Sequence, residues 1–350
     1  MEVFVQSLAY YLSHMKVEVS VTPPFGRFLI RRAMRRPIGL RGPIEDRNWN
    51  RPDSHPDLIH LNYAFASLPV LLRPSSQAPL VYTVHGVPQP ELQPEPLLRI
   101  GYTFEKMSLK YVASRAAKVV AISEYVRGLL QKNYGIPAEV IRHGVDTELF
   151  SPLSLNEKLT LRVALTIPRS EKTILFVGAL HPSKDPLTLA RCMPKVISDL
   201  PEAVFTIVGD GPLKMKLLSE VSRMGMKQFV RLIPYLPHSE LAKWFQVADI
   251  YVSTAPAEML GFSVLEAMSS GIPVVATNSG GPVEALSTSG TFFRPGDEID
   301  LAEKILTIAR DEELKSGRGQ AAREIVLQRF RWEDVAKRYT EIYERVIARR

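Results

Sequence analysis

The feature that most constrains this chain is a repeated alternation of short apolar runs with amphipathic helical stretches, interrupted once near its middle and then resumed. The first series reads as helix Glu2–Met15, strand Val17–Val21, strand Asp57–Leu61, helix Ala64–Leu72, strand Leu80–Val84, helix Leu97–Ala113, strand Lys118–Ile122, helix Glu124–Asn133 and strand Glu139–Ile141. Asp146 to about Glu171 then reads as a linker, with Ser151-Pro152-Leu153-Ser154 at the boundary. From Thr173 the pattern restarts, with strands Ile174–Val177, Ala203–Val208, Val230–Leu232, Asp249–Ser253 and Pro273–Ala276. Helices Pro186–Leu200, Leu213–Met224, Ser239–Gln246 and Ser263–Ser270 lie between them. Such alternation predicts parallel sheets in an α/β architecture of two doubly wound, Rossmann-like domains. The expected bounds are 1–152 and 153–330, with a closing helix over 331–350 whose Tyr339, Ile342, Tyr343, Val346 and Ile347 share a face. Two such domains in tandem would hold a ligand in the cleft between them, at the carboxyl ends of both sheets.

The 350 residues, 45% hydrophobic and 23% charged, are enough for two packed cores. Apolar runs such as Ile272-Pro273-Val274-Val275-Ala276 fall far short of the ~18 residues of a membrane span, and no basic-then-apolar leader opens the chain, so a cytoplasmic protein is expected. The single cysteine, Cys192, excludes an intramolecular disulfide and a cysteine metal cluster. A formal charge of +7 favours anionic partners. Arg27, Arg31, Arg32, Arg35, Arg36 and Arg41 stand among Phe28, Leu29, Ile30, Met34, Ile38 and Leu40. That mixture suits an anionic membrane surface, which would make the protein peripheral on the inner face of the membrane; it equally suits a solvated loop. Pro37 and Gly39 exclude one long amphipathic helix there.

Chemistry is expected at the strand ends. After Ile174–Val177 comes Gly178-Ala179-Leu180-His181-Pro182-Ser183-Lys184, then Asp185-Pro186, a good N-cap with proline at the first helical position. Lys184 therefore stands beside a helix N-terminus, where an ammonium and backbone amides can share a diphosphate. Gly209, in Val208-Gly209-Asp210-Gly211-Pro212, lets backbone approach closely, although such a turn is common. Glu258 and Glu266 are separated by seven residues that include Gly261-Phe262-Ser263, so the first lies in a loop and the second one turn into a helix. A phosphate at that helix end needs no carboxylate, but hydroxyl groups on either side of it do. For Glu266 a second explanation stays open: Ser263-x-x-Glu266 matches a capping box. His85 ends strand Leu80–Val84 and is placed to hydrogen-bond a sugar or phosphate oxygen, or to serve structurally. No Ser/His/Asp set, zinc spacing or P-loop is present, which disfavours hydrolase and NTPase chemistry.

Together these residues resemble the retaining glycosyltransferases of family 4, which have the GT-B fold. The resemblance rests on Glu258-x7-Glu266 with Gly261-Phe262, on Glu266-Ala267-Met268-x-x-Gly271-x-Pro273-Val274-Val275-Ala276-Thr277, and on Gly280-Gly281 with Glu284. Val208–Pro212, His143-Gly144-Val145-Asp146, Phe150-x-Pro152 and Phe330-x-Trp332 extend it over nearly the whole chain. It implies two Rossmann-like domains facing across a cleft, with the C-terminal helix crossing back to the N-terminal domain. It further implies that Glu258 and the amides of Gly261, Phe262 and Ser263 hold the donor sugar, with Glu266 on the ribose, Lys184 at the leaving diphosphate, Gly178 and Gly209 also binding the donor, and His85 at the transferring sugar. The donor would be a UDP-, GDP- or ADP-sugar, the acceptor a saccharide or a lipid-linked saccharide, with no metal, no other cofactor and no nucleic acid. The chain departs from the family at Ala179, where arginine is usual and His181 is the nearby substitute, and at His143, where asparagine is usual. Glu2–Val5 resembles the segment after the family's Gly-Gly turn, so the first strand and glycine loop are expected to be missing. A catalytically degenerate nucleotide-sugar-binding protein and a sugar-nucleotide epimerase are the alternative readings.

Overall fold

The computed structural model describes residues 2–15, 57–65, 68, 78–88 and 96–349. The predicted strand Val17–Val21, the basic stretch Arg27–Arg41 and most of the predicted helix Ala64–Leu72 lie outside the described residues. The chain forms two compact units, Met1–His143 with Trp332–Arg350, and Gly144–Arg331.

In the first unit, helix α1 (Glu2–His14), strands β1 (Ile59–Leu61) and β2 (Leu80–Val84), helix α2 (Pro96–Arg115), strand β3 (Lys118–Ala121), helix α3 (Glu124–Tyr134) and strand β4 (Glu139–Val140) follow in order. The strands are parallel neighbours in the order β1-β2-β3-β4. Helix α3 has sharp ends: the Ser123 hydroxyl accepts from the Val126 amide at 3.1 Å, and Gly135 at φ 67° closes it. The C-terminal helix Trp332–Ile347 belongs to this unit and buries Trp332, Val335, Ala336, Tyr339, Ile342, Tyr343 and Val346 along one face. The Phe4 ring of α1 packs 5.6 Å from Trp332 and 6.0 Å from Tyr339. Ile347, expected on the same face, is exposed near the helix end.

Three histidines are held in this unit. His60 Nδ1 meets the Tyr343 hydroxyl at 2.7 Å and His60 Nε2 meets Thr83 Oγ1 at 2.8 Å. Burial lowers His60 and His143 to about 3 and His85 well below the ordinary histidine range, so all are neutral at pH 7. An unfolded histidine titrates near 6.5, so below that pH the unfolded chain takes up protons that the folded unit refuses. The stability from neutral burial is therefore complete above pH 6.5 and is lost as pH falls toward 3, by about 2 kcal/mol at pH 5 for each of His60 and His143. Urea midpoints are expected to fall between pH 7.5 and 5.0, and less steeply in His60→Gln; parallel slopes would refute the assignment.

In the second unit the expected linker folds. Helix α4 (Leu155–Ala164) starts with a complete capping box in which the Ser154 amide donates to Glu157 Oε2 at 2.9 Å and the Glu157 amide donates to Ser154 Oγ at 3.4 Å. Buried Arg162 then donates to the carbonyls of Val247 at 3.1 Å, Pro168 at 3.0 Å and Glu171 at 2.5 Å. The division falls at His143/Gly144, before the expected 152, because residues 147–151 are tied into the second unit. Arg323 donates to the carbonyls of Thr147 and Phe150, and Gln246 to those of Leu149 and Ser151.

Strand β5 (Lys172–Val177), helix α5 (Pro186–Asp199), strand β6 (Ala203–Val208), helix α6 (Lys214–Arg223), strand β7 (Val230–Ile233), helix α7 (His238–Val247), strand β8 (Ile250–Ser253), helix α8 (Phe262–Ser269) and strand β9 (Val274–Thr277) match the alternation within a few residues. Helix α9 (Gly281–Leu286), strand β10 (Thr291–Phe293) and helices α10 (Glu298–Arg310) and α11 (Glu312–Arg329) complete the unit. All pairings are parallel, in the order β10-β9-β8-β5-β6-β7. The chain thus moves outward from β5 to β7 on one side and from β8 to β10 on the other, which puts the topological switch point between β5 and β8. Cys192, fully buried on α5, packs in the core beneath the sheet, and burial pushes its thiol up, out of the reactive range. Among the described residues, no helix is long and apolar enough to cross a membrane.

Candidate functional site

The switch point carries the charge pair. The loop after β5 presents Lys184 at the end of a short 3-10 turn, and the loop after β8 presents Glu258; the Lys184 ammonium donates to Glu258 Oε2. Open α/β sheets leave a crevice where neighbouring loops diverge from adjacent strands in opposite directions, and this pair sits across that divergence. Glu258 is mostly buried and Lys184 about one-third exposed. The Thr254 hydroxyl, just past β8, donates to the Lys184 carbonyl at 2.7 Å and so fixes the lysine backbone to the opposite loop. Asp185 caps α5, with its side chain accepting from the Thr188 amide, and Pro186 opens the helix as expected.

Glycines hold both loops by close approach. A side-chain carbon at Gly209 would lie 2.0 Å from the Gly178 carbonyl oxygen, so the glycine is required by the neighbouring loop. Gly178 in turn donates to the Val208 carbonyl at 3.0 Å. At Gly280 the same carbon would lie 2.3 Å from the Glu258 carbonyl, while the next amide, Gly281, donates to that carbonyl at 2.8 Å. The Gly280-Gly281 pair thereby clamps the backbone that carries Glu258.

Helix α8 begins at Phe262 with Gly261 as its N-cap, and no side chain caps it. Ser263 is therefore inside the helix, and the Ser263-x-x-Glu266 capping box does not form. Instead the Tyr251 hydroxyl of β8 bonds Ser263 Oγ at 2.8 Å. Glu266, one turn into α8, is buried, and burial raises its carboxyl to about 8. Its Oε1 lies 3.4 Å from His238 Nε2 at the start of α7, and burial lowers that imidazole. Near pH 7 both partners are mainly neutral, so the contact is polar without being an ion pair.

Gly178, Gly209, Lys184, Glu258, Gly261, Phe262, Ser263 and Glu266 are thus gathered around the carboxyl ends of β5, β6 and β8. His85 belongs to the other unit. His181 is committed locally: its Nδ1 accepts from the Ser183 amide at 3.2 Å and caps the 3-10 turn. Tyr251, Thr254 and His238 were not singled out from the sequence. Thr254 carried a signal, since it directly follows a strand at the loaded edge; the other two are brought in by tertiary packing. Among the described residues, no three His, Cys, Asp or Glu side chains converge to hold a metal ion.

A doubly wound parallel sheet with a lysine at its switch point and an uncapped helix start beside it defines an α/β protein whose loaded sheet edge offers a cation and free backbone amides to an anion. Residues 157–325 match the model of the glycosyl transferases group 1, and residues 1–149 match that of glycosyltransferase family 4. The chain belongs to this glycosyltransferase family. It is 34% identical over 186 residues to a sulfoquinovosyl transferase of Arabidopsis thaliana, across 52% of this chain and 35% of that one. It is 27% identical over 316 residues to the D-inositol 3-phosphate glycosyltransferase of Thermobispora bispora, across 84% and 71%. The chain therefore spans about a third of the plant relative and about seven-tenths of the bacterial one. Among solved structures it is similar to Anabaena HepE in complex with UDP-glucose, with TM-score 0.69 and 24% identity over 82% of this chain and 78% of that one. That likeness establishes the GT-B fold.

Proposed function

We propose that this chain transfers a sugar, with retention, from a nucleotide-diphospho-sugar to a saccharide or lipid-linked acceptor. The observation that carries this reading is the Lys184–Glu258 pair joined across the switch point beside the start of α8. An incoming diphosphate competes with Glu258 for Lys184. Once displaced, the carboxylate is left among hydroxyl donors of the sugar, so a single exchange supplies both contacts. The amides of Gly261, Phe262 and Ser263, at the positive end of α8, and Lys184 would stabilise the departing nucleotide phosphate without a metal. Glu266 would accept from the ribose hydroxyls, and His85 would contact the transferring sugar.

A panel of UDP-, GDP- and ADP-sugars, scored by product formation and by NMR of the product anomer, tests the reading. One donor is expected to give an axial or equatorial linkage matching its own. Nucleotide binding without turnover on every acceptor class would instead identify a degenerate binding protein, and an inverted product would remove the retaining assignment.

An anionic lipid surface as partner is supported by α2 of the first unit. Leu97, Ile100, Phe104, Met107 and Tyr111 recur at alternating spacings of three and four and are exposed, with Arg99, Lys106 and Lys110 on one flank. Phe65 extends the patch, 5.8 Å from Phe104. Burying one such side chain contributes about 1.5–3 kcal/mol, so Phe104→Glu should weaken binding to vesicles of anionic phospholipid about tenfold or more. Equal flotation of the variant and the parent would reject this surface.

A further inference from the structure

We propose that His143 is a positioning residue for His85: its Nε2–H donates to His85 Nδ1 and fixes His85 as the tautomer with its proton on Nε2. The arrangement follows from the orientation of the Asn62 amide, which turns its oxygen toward His85. His85 Nε2 lies 3.0 Å from Asn62 Oδ1, and His85 Nδ1 lies 3.0 Å from His143 Nε2. An amide oxygen can only accept, so the His85 Nε2 carries the hydrogen. A neutral imidazole has a single N–H, which makes His85 Nδ1 the acceptor and His143 Nε2 the donor. Burial keeps both rings neutral and so preserves this directional chain. The Phe4 ring, 4.6 Å from the His85 ring and 4.7 Å from that of His143, packs against both and limits their rotation.

The two ends of the chain differ in access. His143 is buried, whereas His85 and Asn62 are partly exposed. The bond to Asn62 is thus the exchangeable one: a substrate oxygen that replaces Asn62 Oδ1 receives a donated hydrogen from His85 Nε2. His85 accordingly acts as a hydrogen-bond donor and not as a base through Nδ1, and His143, which touches no substrate, sets that polarity from behind. The catalytic consequence rests on the glycosyl-transfer reading above; the tautomer does not.

The test uses the full chain labelled with 15N-histidine, whose seven rings are separated by two-bond 1H–15N correlations, with His85→Phe assigning the relevant one. At pH 7.5 His85 is expected to show a protonated Nε2 and an unprotonated Nδ1. His143→Gln, whose side-chain amide also donates, should keep that pattern, and His143→Leu should give a mixture of tautomers. In transfer assays His143→Leu should lower kcat about tenfold with donor KM unchanged, and His143→Gln should restore it. An Nδ1-protonated His85 in the wild type, or an unmixed Nε2–H tautomer with unchanged kcat in His143→Leu, overturns the proposal. Absence of any transfer by the wild-type chain would remove the glycosyl-transfer reading while the spectra still decide the tautomer.

Discussion

Lys184→Met is expected to lower kcat/KM for the nucleotide-sugar by at least about 100-fold, the range typical of removing one preorganised group from a developing anion. The fold should survive, because Lys184 lies on a loop, is partly exposed, and has its backbone held by Thr254 independently of the side chain. The informative comparison is with the double variant Lys184→Met/Glu258→Gln. In the single variant the mostly buried Glu258 carboxylate loses its cation and faces the diphosphate bare, adding repulsion to the lost attraction. Removing that charge as well should recover part of the nucleotide affinity, although it adds a second substitution. Calorimetric titration with the nucleoside diphosphate is therefore expected to rank wild type above the double variant and the double variant above Lys184→Met. Strict additivity across the cycle would show that Glu258 and the diphosphate do not compete for Lys184. Glu258→Gln alone should act differently. It releases Lys184 for the phosphate, so diphosphate binding is retained or improved, while transfer falls because the sugar loses an acceptor.

The sequence makes Lys184 and Glu258 legible because each follows an apolar strand run and neither has a competing local role. The alternation of strands and helices is equally plain, down to the first turn of α5, where Asp185-Pro186 reads directly as cap and first residue. Spacing fails where a distant partner decides. Ser-x-x-Glu occurs at Ser154–Glu157 and at Ser263–Glu266, and only the first forms a capping box. At the second, Gly261 takes the cap position, Tyr251 from the adjacent strand takes the Ser263 hydroxyl, and the carboxyl is buried beside His238. Nothing within four residues of Glu266 signals that outcome. Helix α4 stays hidden inside the expected linker for a related reason: its one local mark is its own capping box, and what secures the segment is Arg162 reaching carbonyls that belong to α7 and to the strand-entry loop. The His85–His143 pair spans 58 residues, so the direction of its hydrogen bond emerges only once β2 and the end of the first unit lie side by side.

Glu266→Gln should make the protein more stable and a poorer nucleotide binder, and both effects should grow with pH. The sign follows from linkage. The carboxyl is raised to about 8 in the folded chain and returns to about 4.5 when unfolded, so between those values the folded state holds a proton that the unfolded state has lost. Stability attributable to Glu266 therefore declines as pH rises from about 4.5 to about 8 and is constant beyond. At about 1.4 kcal/mol per pH unit the full penalty is on the order of 4–5 kcal/mol, and glutamine, neutral throughout, escapes it. Urea denaturation at pH 5, 6.5 and 8 should show the variant gaining progressively on the wild type; a constant difference across that range would mean that Glu266 does not titrate there. Binding responds in the opposite sense. Hydrogen bonds to a charged acceptor contribute about 1.5–3 kcal/mol, so under the proposed function ribose hydroxyls would favour the ionised form and draw a proton off Glu266 as the nucleotide enters. Wild-type affinity should thus rise between pH 6 and 8.5, with proton release seen as a dependence of the calorimetric heat on buffer ionisation. The same titration on Glu266→Gln cancels the ionisation of the phosphates themselves. A buried, neutral carboxyl is a costly acceptor to keep waiting, and its retention beside His238 makes sense if the ionised form is the one the ligand selects.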